Sequence, residues 1–104
     1  MNNRIPRLNS LIKKLLSEAL LEELDLEPGI LLTINEVSVS KNLQQALVKV
    51  SIFPLKDVEQ IIKSLKKKQR FLEHYLLKKI KIRLIPKLVF ELDKSLEQAA
   101  VIEK

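Results

Sequence analysis

The sequence contains no cysteine, one glycine and one histidine, and only four of its 104 residues are aromatic. Without cysteine there is no disulfide framework, no thiol nucleophile and no thiolate metal site. His74 has no second histidine with which to hold a metal ion, and no cysteine or serine in a nucleophile motif stands near it. Its neighbours on a predicted helix, Glu73 and Lys78, make it an ordinary exposed residue. A single glycine cannot build a glycine-rich phosphate loop. The expectation is a protein that is not an enzyme, holds no cofactor or metal, and has no small-molecule substrate.

Long apolar runs are also missing. The uncharged stretch Gly29–Asn35 is far too short to cross a bilayer, and the opening residues MNNRIPRL lack the apolar centre of a secretory signal. A cytoplasmic protein with no membrane attachment is expected. The length suits one domain over residues 1–104, with residues 94–104 as a short tail.

What is abundant is positive charge, and it is unevenly placed. The net charge is +6, yet residues 1–60 and 91–104 are close to neutral or slightly acidic. Residues 61–90 carry ten basic groups against one acid, Glu73. Lys63, Lys66, Lys67, Lys68 and Arg70 crowd the end of one helical stripe, and Lys78, Lys79, Lys81 and Arg83 follow. A solvated helix face normally interleaves acids at i,i+4 for support. Uncompensated repulsion of this size is tolerable where phosphates supply the counter-charge, so the block points to a nucleic acid. Aromatics are too few for a base-stacking platform. Contacts to phosphates and to the shape of a folded RNA fit better.

Periodicity gives the element order. Ile5, Leu8, Leu11, Ile12, Leu15, Leu16, Ala19 and Leu20 form one helical stripe, with Pro6 in its first turn and acids at its far end. Glu27-Pro28-Gly29 breaks the chain. ILLTINEVSVS and QALVKVSIF alternate as a hairpin, with a parity slip at Asn35-Glu36 that predicts a β-bulge. Asp57 is the expected N-cap of a second helical stripe, Val58, Ile61, Ile62 and Leu65, which resumes at Leu72 and Leu76. Leu65 and Leu72 are seven residues apart, so one continuous helix and a jointed pair both fit. From Lys81 the period becomes two, predicting a strand to Leu92 with Pro86 inside it at an edge or bulge. Phe53, Tyr75 and Phe90 are assigned to the core, Glu91 and Asp93 to a solubilising strand edge, and SLEQAAVIEK to at most one short helix. A strand reached by a helical crossover can pair in parallel with a hairpin strand, leaving the helices on one sheet face.

The order α-β-β-α-(kink)-α-β is the α+β arrangement of type II KH domains. Three stretches, RIPRLNSLIKKLLSEAL, EPGILLTINEVSVSKNLQQALVKVSIF and IRLIPKLVFELDKSLEQA, resemble the bacterial ribosome-binding factor A family over roughly residues 4–100. The resemblance implies a KH-like protein that binds the immature 30S subunit and 16S rRNA and acts late in 16S rRNA maturation. It further implies action near the 5′-terminal helix and the neck, support of growth in the cold, and a monomer when free. By position, Arg4 and Arg7 match the family's basic first-helix start, and Lys78, Lys81 and Arg83 its basic run into the last strand; these look like rRNA contacts. The chain departs from the family pattern in two places. It has Glu27-Pro28 for the usual Asp-Pro, and Lys68, Gln69 and Arg70 for the usual Ala-x-Gly kink between the later helices. The polar C-terminal tail of some relatives is also not matched. Alternative readings of the residues are a protein-interaction module using the open sheet edge, or an RNA binder unconnected with ribosomes.

Overall fold

The computed structural model describes residues 4–94. Helix α1 spans Arg4–Glu23 and buries the stripe Ile12, Leu16, Ala19 and Leu20. Its last turn carries acids and no base, which opposes the helix dipole, and the helix stops there. The carbonyl of Glu27 accepts from Ile30 N–H at 3.1 Å across Pro28 and Gly29. Gly29 has φ +91°, so this is a turn of the type II pattern, which needs glycine at its third position.

Strands β1, Leu31–Val39, and β2, Gln45–Phe53, form the predicted antiparallel hairpin. The bulge falls where the parity slip placed it, with Ile34 opposite Val50 and Glu36 opposite Lys49. Asn35, left over between them, uses its side chain to bind across the sheet. Its Oδ1 accepts from Ser51 Oγ at 3.2 Å, and its Nδ2 donates to Asp93 Oδ2 at 2.9 Å. Asp93 is therefore a structural acceptor rather than a solubilising edge charge.

Helices α2, Val58–Lys67, and α3, Gln69–Lys79, lead to strand β3, Lys87–Leu92. β3 pairs in parallel with β2, giving the sheet order β1-β2-β3. All three helices pack on one sheet face. Ile34, Val37, Val48, Val50, Leu88 and Phe90 from the strands meet Leu16, Leu65, Leu72 and Leu76 from the helices. The opposite face is polar or at least partly exposed. This is the type II KH-like order.

The structure departs from several expectations. β3 begins at Lys87, not at Lys81. Ile82 N–H bonds back to the carbonyl of Ile80 at 2.9 Å, and Pro86 has no N–H for a ladder, so residues 81–86 are an irregular segment. Leu84 in that segment is 84% exposed. Phe53 is not core: it shares the open-face parity of β2, not the parity of Val48, Val50 and Ile52, and is 73% exposed. Tyr75 is half-buried against the core. Asp57 occupies the N-cap position of α2 but makes no side-chain cap bond, because its backbone is left-handed at φ 55° rather than extended. The short helix expected in SLEQAAVIEK lies outside the described residues.

Glu73 has a role that charge counting hides. Its Oε2 accepts from Gln69 Nε2 at 3.0 Å and from Leu88 N–H at 2.9 Å. Lys87 N–H reaches the Gln44 carbonyl and Asp93 N–H the Val50 carbonyl, so odd-numbered amides of this strand face β2. Leu88 N–H therefore points outward, and the carboxylate on α3 satisfies an edge donor that would otherwise be bare. Glu73→Ala should destabilise the fold by about 1–3 kcal/mol, the usual cost of orphaning a donor in a charge-assisted bond, read from urea denaturation. Asn35→Ala should cost about 1–2 kcal/mol in the same measurement, with faster amide exchange at Asp93.

Candidate nucleic-acid interface

The parallel entry of β3 carries residues 81–86 past the hairpin turn and the start of α1. Arg4 and Arg7 from α1, Asn42–Gln44 from the hairpin turn, and Lys81–Pro86 line one open groove. Its floor is apolar, with Leu8, Leu11, Leu43 and Ile82 among its lining residues, and its rim is cationic. Four of the residues singled out from sequence, Arg4, Arg7, Lys81 and Arg83, thus converge from opposite ends of the chain. Leu43 in the turn has φ 61°, a left-handed conformation that a leucine rarely adopts. The turn is held by polar bonds: Asn42 Oδ1 accepts from Ser40 Oγ at 2.6 Å and from Gln44 N–H at 3.1 Å.

The second basic surface is the outer side of α2 and α3. Lys63, Lys66, Lys67 and Arg70 recur at i,i+3 and i,i+4 spacing, away from buried Ile61, Leu65 and Leu72, and all four are exposed. Exposed His74 continues the row, four residues from Arg70 and four from Lys78. Lys78 and Lys79 occupy the last turn of α3, where cations complement the helix dipole. The Lys79 ammonium lies 5.7 Å from the centre of the Tyr75 ring.

Lys68 behaves differently from its neighbours. The helix breaks at this residue, with φ −86° and ψ −1°, so the joint forms without the small residues of the family pattern. Its N–H remains bonded to the carbonyls of Ser64 and Leu65, and its carbonyl to Leu72 N–H. Its side chain is half-buried, with Nζ 3.7 Å from Glu23 of α1 and 5.9 Å from the Phe71 ring centre. Lys68 therefore braces the joint against α1 and does not extend the outward row.

The cations of the outward row and of residues 81–83 have no carboxylate partner among the described residues. Glu73 is turned toward Leu88 and Gln69. Among the described residues, Lys63, Lys66, Lys67, Arg70, Lys78, Lys79, Lys81 and Arg83 make no ion pair. No group of three metal-ligating side chains occurs among the described residues, and no helix there is long and apolar enough to cross a membrane. Sequence reading misses Asn42, Gln44 and Leu84 at the groove. Turn residues carry no charge signal, and Leu84 reads as part of a strand.

The family model for ribosome-binding factor A matches residues 4–104. The chain belongs to this family. It is 34% identical to the ribosome-binding factor A of Caldanaerobacter subterraneus subsp. tengcongensis over all of this chain and 87% of that protein. It is 37% identical to that of Dictyoglomus thermophilum, over 94% of this chain and 83% of the relative. The fold is similar to the crystal structure of the Thermus thermophilus factor, with TM-score 0.74, 26% identity, and coverage of 88% of this chain and 97% of that one. It is also similar to coordinates of the Thermus thermophilus factor fitted into a cryo-EM map of its complex with the 30S subunit. There the TM-score is 0.70, with 26% identity over 83% of this chain and 91% of that one.

The geometry separates exposed cations without an ion pair from the bracing Lys68. In a titration of a folded RNA at several salt concentrations, Arg83→Gln should lower the log–log salt slope by about one. Lys68→Gln should leave that slope unchanged and shift only the denaturation midpoint, by about 0–1 kcal/mol for a partly exposed pair.

Proposed function

We propose that this protein binds the immature small ribosomal subunit in the cytoplasm and assists late maturation of 16S rRNA without catalysing a reaction, acting as a single KH-like domain that is monomeric when free. The observation that carries this reading is the convergence of Arg4, Arg7, Lys81 and Arg83 at one groove, in a family with a member fitted onto the 30S subunit. Folded RNA presents closely spaced phosphates along its strands, and a rim of guanidinium and ammonium groups can take them while releasing condensed counterions. Arginine suits such contacts because its planar fork grips two phosphate oxygens together.

The row Lys63, Lys66, Lys67, Arg70, Lys78 and Lys79 supplies further phosphate contacts along α2 and α3. Ordinary KH domains offer glycine backbone amides to a phosphate at the joint between these helices. At this joint the Lys68 amide is already hydrogen-bonded within the helices. Affinity then comes from side chains before and after the joint rather than from its backbone. With roughly six to eight phosphates neutralised, the log–log salt slope should be about −4 to −7.

Sucrose-gradient sedimentation tests the reading. The protein should travel with free 30S particles rather than with 70S ribosomes. A variant carrying Arg7→Gln, Lys66→Gln, Lys67→Gln and Arg83→Gln should remain at the top of the gradient with unchanged circular dichroism. Co-sedimentation of that folded variant at the wild-type level would refute phosphate-driven binding.

A further inference from the structure

The groove between α1, the hairpin turn and residues 81–86 holds more than phosphate binding requires. Phosphates ask only for exposed cations, yet Leu8, Leu11, Leu43 and Ile82 line this groove and Leu84 shares it. A lone exposed leucine is ordinary on a protein surface. Leu84, 84% exposed, differs because it continues an apolar lining, with Leu11 also 40% exposed, inside a cationic rim. The segment presenting it is anchored on both sides. Ile82 and Ile85 pack against the core, and Pro86 is fully buried. Ile82 N–H bonds to the Ile80 carbonyl and Lys87 N–H to the Gln44 carbonyl, each at 2.9 Å. Fixed neighbours therefore hold Leu84 out in water.

Charge, size and lining select the occupant. No acidic side chain lines the groove, and Arg7, Lys81 and Arg83 make no ion pair among the described residues, so the occupant is anionic. The groove's volume, about 1130 Å³, exceeds the roughly 300–1,000 Å³ of sites that enclose one small molecule, which suits a length of polymer. Its apolar lining must also meet an apolar face. A continuous RNA duplex offers none, because its base faces are stacked inside and its exterior is sugar and phosphate. An unpaired nucleotide presents the flat face of a base between two phosphates. Aliphatic side chains can cover one such face without the several aromatic rings of a stacking platform. A membrane-inserting surface carries its apolar side chains outermost, whereas Leu8, Leu43 and Ile82 are half-buried below a cationic rim.

We propose that this groove takes an unpaired nucleobase of the RNA, laid against Leu84, with the flanking phosphates on Arg7, Lys81 and Arg83. The proposal rests on the groove being RNA-facing and narrows its substrate to bulges, loops or strand ends. The exposed side chains of Asn42 and Gln44 lie in the same groove to meet the polar edge of the base. The site is separate from the joint between α2 and α3. Roughly 24 Å of α1, at about 1.5 Å per residue, separates Arg7 from Glu23, which Lys68 contacts at the joint. Leu84 is then the residue that distinguishes an unpaired nucleotide from duplex, while the cations bind either.

The test measures the affinity of the full chain, by fluorescence anisotropy, for two RNA duplexes carrying the same short bulge. In one the bulged nucleotides keep their bases; in the other they are abasic, so the phosphates are equal in number. The base-bearing RNA should bind at least about fivefold tighter, with equal log–log salt slopes for the two. Leu84→Ser should bring its affinity down to the wild-type value for the abasic RNA. Leu55→Ser, at a position 60% exposed and outside the groove, should keep the wild-type preference. Equal wild-type affinities, or a preference that survives Leu84→Ser, would overturn the proposal and leave phosphate-driven binding standing. Failure of both RNAs to bind would overturn the two together. Binding of phosphatidylglycerol vesicles that Leu84→Ser abolishes, without a base preference, would also overturn it and assign the groove to a membrane surface.

Discussion

Strand β3 adds to the sheet parallel to β2, so the chain must travel from Phe53 at one end of β2 back to Gln45 at the other before Lys87 can pair. Helices α2 and α3 make that return, and their apolar residues close the core over the sheet. The segment that completes the return, residues 81–86, is delivered beside the hairpin turn and the first turn of α1. Basic residues from the two ends of the sequence become neighbours through this one pairing. An antiparallel β3 would have entered the sheet from the Phe53 end and left Arg4 and Arg7 without Lys81 and Arg83.

Two polar anchors hold the strand in place. Glu73 fixes the beginning of β3 to α3, and Asn35, spared by the bulge from the β1–β2 ladder, fixes the chain just past its end through Asp93. A carboxylate and a carboxamide positioned in this way do more for the fold than surface charges do, because Glu73 satisfies a strand-edge amide that would otherwise be bare and Asn35 links β1, β2 and the end of β3 through partly buried bonds. Glu73 is also the only acid among residues 61–90, the most basic part of the chain. With Glu73 engaged on β3, Lys66, Lys67, Arg70, Lys78 and Lys79 make no ion pair among the described residues. The bond that stabilises the β3 edge therefore also keeps this acid away from the cationic row.

Much of this is legible in the residues. The bulge is visible as a parity slip at Asn35-Glu36, and the element order, the helices on one sheet face and the clustering of cations all follow from pattern. The limits of the β3 assignment show where pattern fails. Ile82, Leu84 and Leu88 alternate as a strand would, but a proline without an amide stands between them, and the irregular segment uses its isoleucines to lean on the core. Alternation reports which side chains are apolar, not whether backbone groups have partners. The joint at Lys68 is undecidable from pattern because Leu65 and Leu72 stay in phase whether or not the helix bends. A tertiary contact, Lys68 with Glu23, accompanies the bend, and no local window contains both residues. The convergence of the two basic stretches is likewise invisible in sequence, since it depends on the parallel register.

The central claim is that these cations meet phosphate on the small subunit while the rest of the surface does not. Lysine acetylation footprinting of the full chain, free and bound to 30S particles, with read-out by mass spectrometry, tests this most directly. Lys66, Lys67 and Lys81 should be protected on binding, whereas Lys49 and Lys56, paired with Glu36 and Glu27, should react as in the free protein. Protection of Lys49 and Lys56 with Lys66, Lys67 and Lys81 left reactive would contradict the account.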